Sequence, residues 1–474
     1  MLIMTVQQNS IMWFVANVIS AAINFIAVVF FSRILGATTL GYYFLFFSLV
    51  QVLNFLGNGG LSQATIKRIS EGQGSPCILG ASFLLRSALF SIIACGVVFF
   101  REPLSNYLHG DYTILLIGIL FLLQISDLMR EILQGIHRVG TSALVDLVQQ
   151  TGKIGGQVLL VGYGVIGLIW GFLAGIIASI LYGFTLIRIK ISMPRSTDFA
   201  NLLKFSRFAY GNALGGLVFD WIGILAIGYF LGSTEAAIFG VCWSISVIVL
   251  LFSQAIASAF FPHISHLSKG NNFQEIQISL KNAVSYSLLL ALPAFLGVIA
   301  LGGNFLTLVY GPEFAVGTTI LIVLMAARVI QSVQMVITRT LEGIDRPDIV
   351  FRITLLTLII NLSTMIIFIP RYGAVGGAMS VLITIVISLI ANAGALNKII
   401  PLGISSVVFW ISGGSLLMFS AVLVIRYCLP VNSIGLLTGI ILGGIGIYGI
   451  VLLINNEIRQ LFLTLLSQKS TFHF

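Results

Sequence analysis

The chain has 474 residues, 58% of them hydrophobic and 8% charged, and carries a formal net charge of +9. Soluble domains average roughly 25% charged residues, and apolar content of this order would leave them with large aggregating patches. A soluble globular protein is therefore excluded, and the positive charge reads as membrane topology rather than as a nucleic-acid footprint.

Long charge-free runs between short polar clusters define the elements, because one bilayer crossing takes roughly 20 apolar helical residues. In chain order they place about fourteen spans, at 10–31, 40–60, 77–100, 113–132, 142–162, 165–187, 205–231, 236–260, 282–301, 316–338, 350–369, 374–396, 406–426 and 434–455. The connections are short. The start lacks a positive leader region and its first apolar run continues into a full span, so no cleavable signal peptide is expected. Cys77, Cys95, Cys242 and Cys428 are scattered, without a CxxC or a paired framework, and read as small core residues. The segment from Phe261 to Ala283, containing NNFQEIQISLKNA, alternates apolar and polar residues at helical spacing. It is expected to lie along the membrane surface.

Lysine and arginine set the orientation. With the N-terminus cytoplasmic, seventeen of the 24 fall in inner loops or the tail and four (Arg33, Arg101, Arg371, Arg426) in outer loops. The other three, Arg86, Lys153 and Arg328, lie within spans. This asymmetry predicts both termini on the cytoplasmic side of the membrane, which is expected to be the cell's inner, cytoplasmic membrane.

Three short echoes recur at corresponding loops. LQGIHR (Leu133 to Arg138) returns as LEGIDR (Leu341 to Arg346), 208 residues later. YGVIG (Tyr163 to Gly167) returns as YGAVG (Tyr372 to Gly376) after 209, and ILGAT (Ile34 to Thr38) as FLGST (Phe230 to Thr234) after 196. The chain therefore divides into two six-span halves, 1–190 and 205–397, and two extra spans in 406–455. Six is even, so the halves form a parallel repeat about an axis along the membrane normal, an arrangement used by transporters. Gly135 and Gly343 are expected to punctuate helix ends, with Arg138 and Arg346 anchoring the loops at headgroups.

Ionisable groups within spans are costly and mark function by default. Arg86, Lys153 and Arg328 each fall roughly mid-bilayer. In the fifth span Asp146, Gln149, Gln150, Lys153 and Gln157 share one helical face, which lines a wet interior. Arg328, Gln331 and Gln334 form a shorter stripe. One reading is a cationic cavity that neutralises an anionic substrate, with amides suited to sugar hydroxyls. The other is that Arg86 and Lys153 pair with Asp146 or Asp127 and glue helices together. Asp220, and less directly Asp146, are the candidates for an ion-coupling site. No cofactor is indicated. GYGVIG (Gly162 to Gly167) matches a dinucleotide motif only formally, since no strand precedes it. His263 and His266 lack a third metal ligand, and no nucleophile stands beside a base.

The stretches SRILGATTLGYY (Ser32 to Tyr43) and LGNGGLSQATIKRIS (Leu56 to Ser70), with LQGIHR and GYGVIG, resemble the polysaccharide-transporter family. These are the O-antigen and exopolysaccharide flippases of the multidrug/oligosaccharidyl-lipid/polysaccharide exporter superfamily. The resemblance implies an all-α polytopic membrane protein whose two six-helix bundles form a V, with two additional C-terminal helices. It implies flipping of polyprenyl-pyrophosphate-linked oligosaccharide from the inner to the outer leaflet, and a positively charged lumen that agrees with Arg86, Lys153 and Arg328. Arg33 lies within the resembling motif, where substrate contact and a conformational role are equally open. A polysaccharide polymerase and a chain-length regulator are the implied protein partners.

Two other functions compete. A drug or metabolite antiporter of the same superfamily calls for about twelve spans and an acidic cavity. A membrane-embedded polysaccharide polymerase needs catalytic groups on a large outer loop, and the longest here are Phe100 to Tyr112 and Gly302 to Phe314.

Overall fold

The computed structural model describes residues 6–72, 75–187, 192–217, 221–270, 272–403, 405–455 and 459. Among them every regular element is a helix and there is no strand. Lipid offers no hydrogen bonds, so a spanning backbone must satisfy its own. Sixteen α-helices run α1 (Val6–Asn58), α2 (Leu61–Ser70), α3 (Ser75–Phe99), α4 (Arg101–Leu108), α5 (Thr113–Gly135), α6 (Val139–Leu159), α7 (Gly164–Leu186) and α8 (Ser196–Leu217). They continue with α9 (Gly223–Leu231), α10 (Ser233–Ile248), α11 (Leu250–Lys269), α12 (Phe273–Phe305), α13 (Thr318–Gly343), α14 (Pro347–Asn397), α15 (Ser406–Cys428) and α16 (Ile434–Ile454). The chain forms two compact units, Met1–Gly240 and Val241–Phe474.

Nine helices among the described residues are long and apolar enough to cross a membrane, or ten if the bent pair of α10 and α11 is one span. Two of the nine absorb two expected spans each. At 53 residues α1 is about 80 Å long, far more than a hydrocarbon core of roughly 30 Å. Gly36 interrupts it with φ 70° and ψ 174°, a conformation that side-chain-bearing residues avoid. Gly373, φ 62° and ψ −151°, divides the 51 residues of α14 in the same way. The expected span 142–162 is helix α6, whose polar face keeps it out of the nine. The expected span 205–231 is carried by α8 and α9, which flank residues outside the described set.

Within the first unit, α6 and α7 pack through glycines. A Cβ at Gly175 would lie 2.4 Å from the Gln149 carbonyl oxygen, and one at Gly171 would lie 2.3 Å from the Gln157 nitrogen. No larger residue fits, so the two backbones approach closely and the polar face of α6 is turned toward α1. The start of α8 also packs here, with Leu202 fully buried among Leu61, Ala64, Ile78 and Ala81.

Within the second unit, α12 runs 33 residues through Pro293. The expected surface segment is thus not a separate element: its residues form the end of α11 and the first turns of α12. Ile276, Leu280 and Ala283 lie at helical spacing and pack with Ile264, Leu341 and Ile400 in one apolar cluster, which takes that stripe out of reach of a membrane surface. The hairpin α15–α16 is held on α12 by a second cluster including Leu289, Leu301, Ile411 and Tyr448, whose hydroxyl donates to the Leu289 carbonyl at 2.8 Å.

Each sequence echo marks a matched pair of backbone devices. Gly36 and Gly232 share positive φ and extended ψ. Gly164 and Gly373 have φ of 63° and 62°. After them Gly167 and Gly376 sit where a Cβ would meet a carbonyl oxygen, at 1.8 Å (Leu160) and 2.1 Å (Phe368). At the third echo the expected role of glycine is corrected. The left-handed residues are His137 (φ 62°) and Asp345 (φ 66°), each two residues past the glycine. Arg138 N–H donates to the Leu133 carbonyl and Arg346 N–H to that of Leu341, closing identical Schellman turns. Gly135 and Gly343 are small for packing: a Cβ would lie 2.6 Å from the Ile69 Cβ in one and 2.9 Å from the Ile264 Cγ2 in the other.

Candidate functional site

In the first unit α6 presents its polar face to α1. Gln150 donates to the Asn24 Oδ1 at 3.1 Å, and Gln157 donates to the Tyr43 hydroxyl at 2.7 Å and the Leu168 carbonyl at 3.0 Å. Between them lies Lys153, 8% exposed, with its Nζ 5.4 Å from the centroid of the Phe47 ring. Phe47 is packed edge-on against Trp221 and Phe172, at 5.3 and 5.2 Å. Among the described residues Lys153 has no acidic partner within ion-pair distance. A buried ammonium over one aromatic face keeps roughly 0.5–2 kcal/mol of cation–π attraction and most of its desolvation cost, so it favours any anion that can reach it.

Arg86 has a different environment. It is 3% exposed on α3, and its Nη2 donates to both carboxylate oxygens of Glu131 on α5, at 2.8 and 2.7 Å. Ser82 accepts from its Nε at 3.3 Å, and Ser62 bonds both Arg86 and Glu131. The partner is neither of the acids expected, Asp127 or Asp146. Those two are bridged by Arg130, and Asn54 donates to Asp127 at 3.0 Å. Gln149 accepts from Arg130 at 3.1 Å. Asp146 and Gln149 therefore belong to an ion-pair network with Arg130, one turn from the Lys153 aromatic cluster. Glu131 lies inside the expected fourth span, 113–132, but one residue from Arg130 at its inner end, where the sequence does not separate a buried acid from a loop one.

In the second unit Arg328 is 2% exposed on α13. Its guanidinium carbon lies 4.1 Å from the ring centroid of Trp243, its Nε donates to Ser246 at 3.1 Å and its Nη1 to Gln331 at 2.5 Å. Gln334 turns instead to Ser388, 2.9 Å away. The aromatic partners, Phe47 and Trp243, carried no signal of their own in a chain so rich in aromatic residues. Arg33 is exposed and lies three residues before the Gly36 break. Asp220 lies outside the described residues. Among the described residues no group of three or more His, Cys, Asp or Glu is placed to hold a metal ion.

The family model described as Polysaccharide biosynthesis protein matches residues 6–268, more than half of the chain. The chain belongs to that family. A second model, MatE, matches residues 217–367. The chain is 30% identical over 461 residues to the probable low-salt glycan biosynthesis flippase Agl15 of Haloferax volcanii, covering 96% of this chain and 98% of the relative. It is 25% identical to the probable flippase AglR of the same organism, over 82% of this chain and 83% of that one. Its fold superposes on the lipid II flippase MurJ in an inward closed conformation with a TM-score of 0.80 and 20% identity, over 95% of this chain and 100% of that chain.

The chain is thus an all-α, multi-pass membrane protein, and the three cations buried among its described residues have different surroundings. Arg86 is neutralised by its own carboxylate. Lys153 lies beside the Phe47 ring with no acidic partner among the described residues, and Arg328 lies on the face of Trp243 with Ser246 and Gln331 as hydrogen-bond partners.

Proposed function

We propose that this protein is a flippase that carries a polyprenyl-pyrophosphate-linked oligosaccharide from the cytoplasmic to the outer leaflet by alternating access. The observation that carries the reading is Lys153, buried beside Phe47 with no acidic partner among the described residues, in a chain of this family. A lipid-borne phosphate supplies the missing negative charge at Lys153, and Arg328, stacked on Trp243, is the corresponding buried cation of the second unit. Gln149 and Gln157 border the Lys153 site, the Asp146 network lies on the same helix, and Arg33, exposed on α1, remains a candidate for substrate contact. Asp220 remains the candidate for ion coupling. Arg86, already paired, serves the packing of α2, α3 and α5. The lysine and arginine distribution supports an inner-membrane location with both termini cytoplasmic. No step of this cycle makes or breaks a covalent bond, so the protein acts as a transporter, upstream of a polysaccharide polymerase and a chain-length regulator.

The test is reconstitution in liposomes with a fluorescent polyprenyl-pyrophosphate oligosaccharide, scored by its exposure to a membrane-impermeant quencher. Wild-type protein is expected to make the inner-leaflet pool accessible, and Lys153→Ala to slow this at least tenfold. Equal rates with wild type, Lys153→Ala and protein-free liposomes sink the assignment.

A further inference from the structure

Three of the tightest approaches in the first unit lie along one seam. It runs between the arm of α1 beyond Gly36 and the pair formed by α9 and the first turns of α10. A Cβ at Gly41 would lie 1.9 Å from the Ser233 carbonyl oxygen, one at Gly228 2.2 Å from Leu45 Cδ2, and one at Gly240 2.6 Å from Phe44 Cδ2. At its end Thr38 and Thr234, equivalent positions of two echoes, share a hydrogen bond of 2.9 Å. Each follows by two residues a glycine of positive φ, Gly36 or Gly232. The seam thus seats Leu45 and Phe44 on glycines between two glycine corners, with an exposed hydroxyl pair rather than a packed apolar plug at its end.

Helix α4 reaches across this seam. Only Leu108 of its eight residues is fully buried. The Tyr107 hydroxyl donates to the Leu225 carbonyl on α9 at 2.7 Å, and His109 stacks on Tyr42 of α1 with ring centroids 4.9 Å apart. Arg101 and Asp111 form an ion pair that ties the two ends of the α4 loop together. The corresponding loop of the second repeat behaves differently. There Tyr310 and Phe314 are 0% and 1% exposed within the second unit's own core. The repeat therefore does not require an exposed helix hooked onto a neighbour by one tyrosine.

We propose that α4 is a latch: Tyr107 holds the seam between the α1 arm and α9–α10 shut, and its release opens the face through which the glycan-lipid leaves. This rests on the flippase reading and on the outward orientation of the Gly36 end. One hydroxyl bond, one ring stack and the buried Leu108 hold the latch, while the glycine corners absorb the change in backbone angle when it opens.

The test uses full-length protein with the four native cysteines replaced by alanine and Thr38→Cys with Thr234→Cys added. Oxidation in native membranes is expected to cross-link the pair and to lower glycan-lipid transport at least tenfold, with recovery on reduction. A second measurement does not depend on transport. Ser233→Cys alone, at a position 7% exposed in the closed seam, is alkylated from outside by an impermeant maleimide, and Tyr107→Phe is expected to speed this by about two- to tenfold, the range one such hydrogen bond supports. Failure to cross-link, full transport by the cross-linked form, or an unchanged alkylation rate in Tyr107→Phe each overturn the latch. If the unmodified protein moves no glycan-lipid, the flippase reading fails, and the alkylation arm still decides the latch.

Discussion

Arg86 and Lys153 are both buried cations of the first unit, yet they sit in opposite circumstances. Arg86 has a carboxylate 2.7 Å away, and three further hydroxyl or carboxylate contacts complete its environment. Lys153 has an aromatic ring at 5.4 Å. Depth alone does not make a cation available. A carboxylate converts it into a fastener between helices, whereas an aromatic face keeps its charge open to a ligand.

The sharpest way to break this comparison is to remove the partner that only Arg86 has. Glu131→Leu leaves a buried guanidinium uncompensated and is expected to destabilise the protein by about 3–5 kcal/mol. Arg86→Leu with Glu131→Leu is expected to recover most of that, as read by thermal unfolding in detergent. Recovery of stability with transport retained keeps Arg86 out of the binding site; loss of transport in the stable double variant puts it back.

Lys153→Ala is expected to do the reverse. It lowers transport at least tenfold, about 1.4 kcal/mol or more in the barrier, while thermal stability holds or rises because no buried partner is stranded. A comparable fall in the melting temperature would mean that Lys153 is a fastener too. Arg328→Lys sharpens the comparison in the second unit. It preserves charge but loses the planar stack on Trp243, worth about 0.5–2 kcal/mol, so transport is expected to fall by a few-fold and less than in Arg328→Ala.

The smallest effect belongs to the exposed Arg101–Asp111 pair. The hydrogen bond from Arg101, with those from Thr113, draws the Asp111 carboxyl down to about 2, below its unfolded value near 3.9. Its contribution is complete above about pH 4 and is lost only as pH falls through about 2. Transport measured from pH 5 to 8 is therefore expected to be the same for Asp111→Asn and wild type in its pH dependence. A shifted profile would show that this loop titrates in the working range.

Much of the fold was legible because lipid imposes it. Apolar length placed the helices, and the repeated glycines, whose positive φ or close approach admits no other residue, placed the repeat corners at Gly36 and Gly232 and at Gly164 and Gly373. The breaks at Gly36 and Gly373 fall between expected spans, but the 41° bend between α10 and α11, inside the expected span 236–260, has no polar residue or glycine to announce it. The site was legible by half. Arg86, Lys153 and Arg328 were identified as deep cations from their distance along apolar runs. Their partners were not, because Glu131 is 45 residues from Arg86 and Phe47 and Trp243 are 106 and 85 residues from the cations they carry.

By itself, then, the sequence determined that the chain is a helical membrane protein with three recurring short motifs and three charges placed deep in its apolar runs. Hydrophobic periodicity and residue type along the chain are enough for that, since each span is stabilised by its own backbone bonds. Which of those charges is cancelled was decided only by tertiary structure, through the packing of α2, α3 and α5 around Arg86 and of α6 against α1 around Lys153. Ion pairing depends on separations of a few ångströms between helices distant in the chain, and no local pattern encodes those.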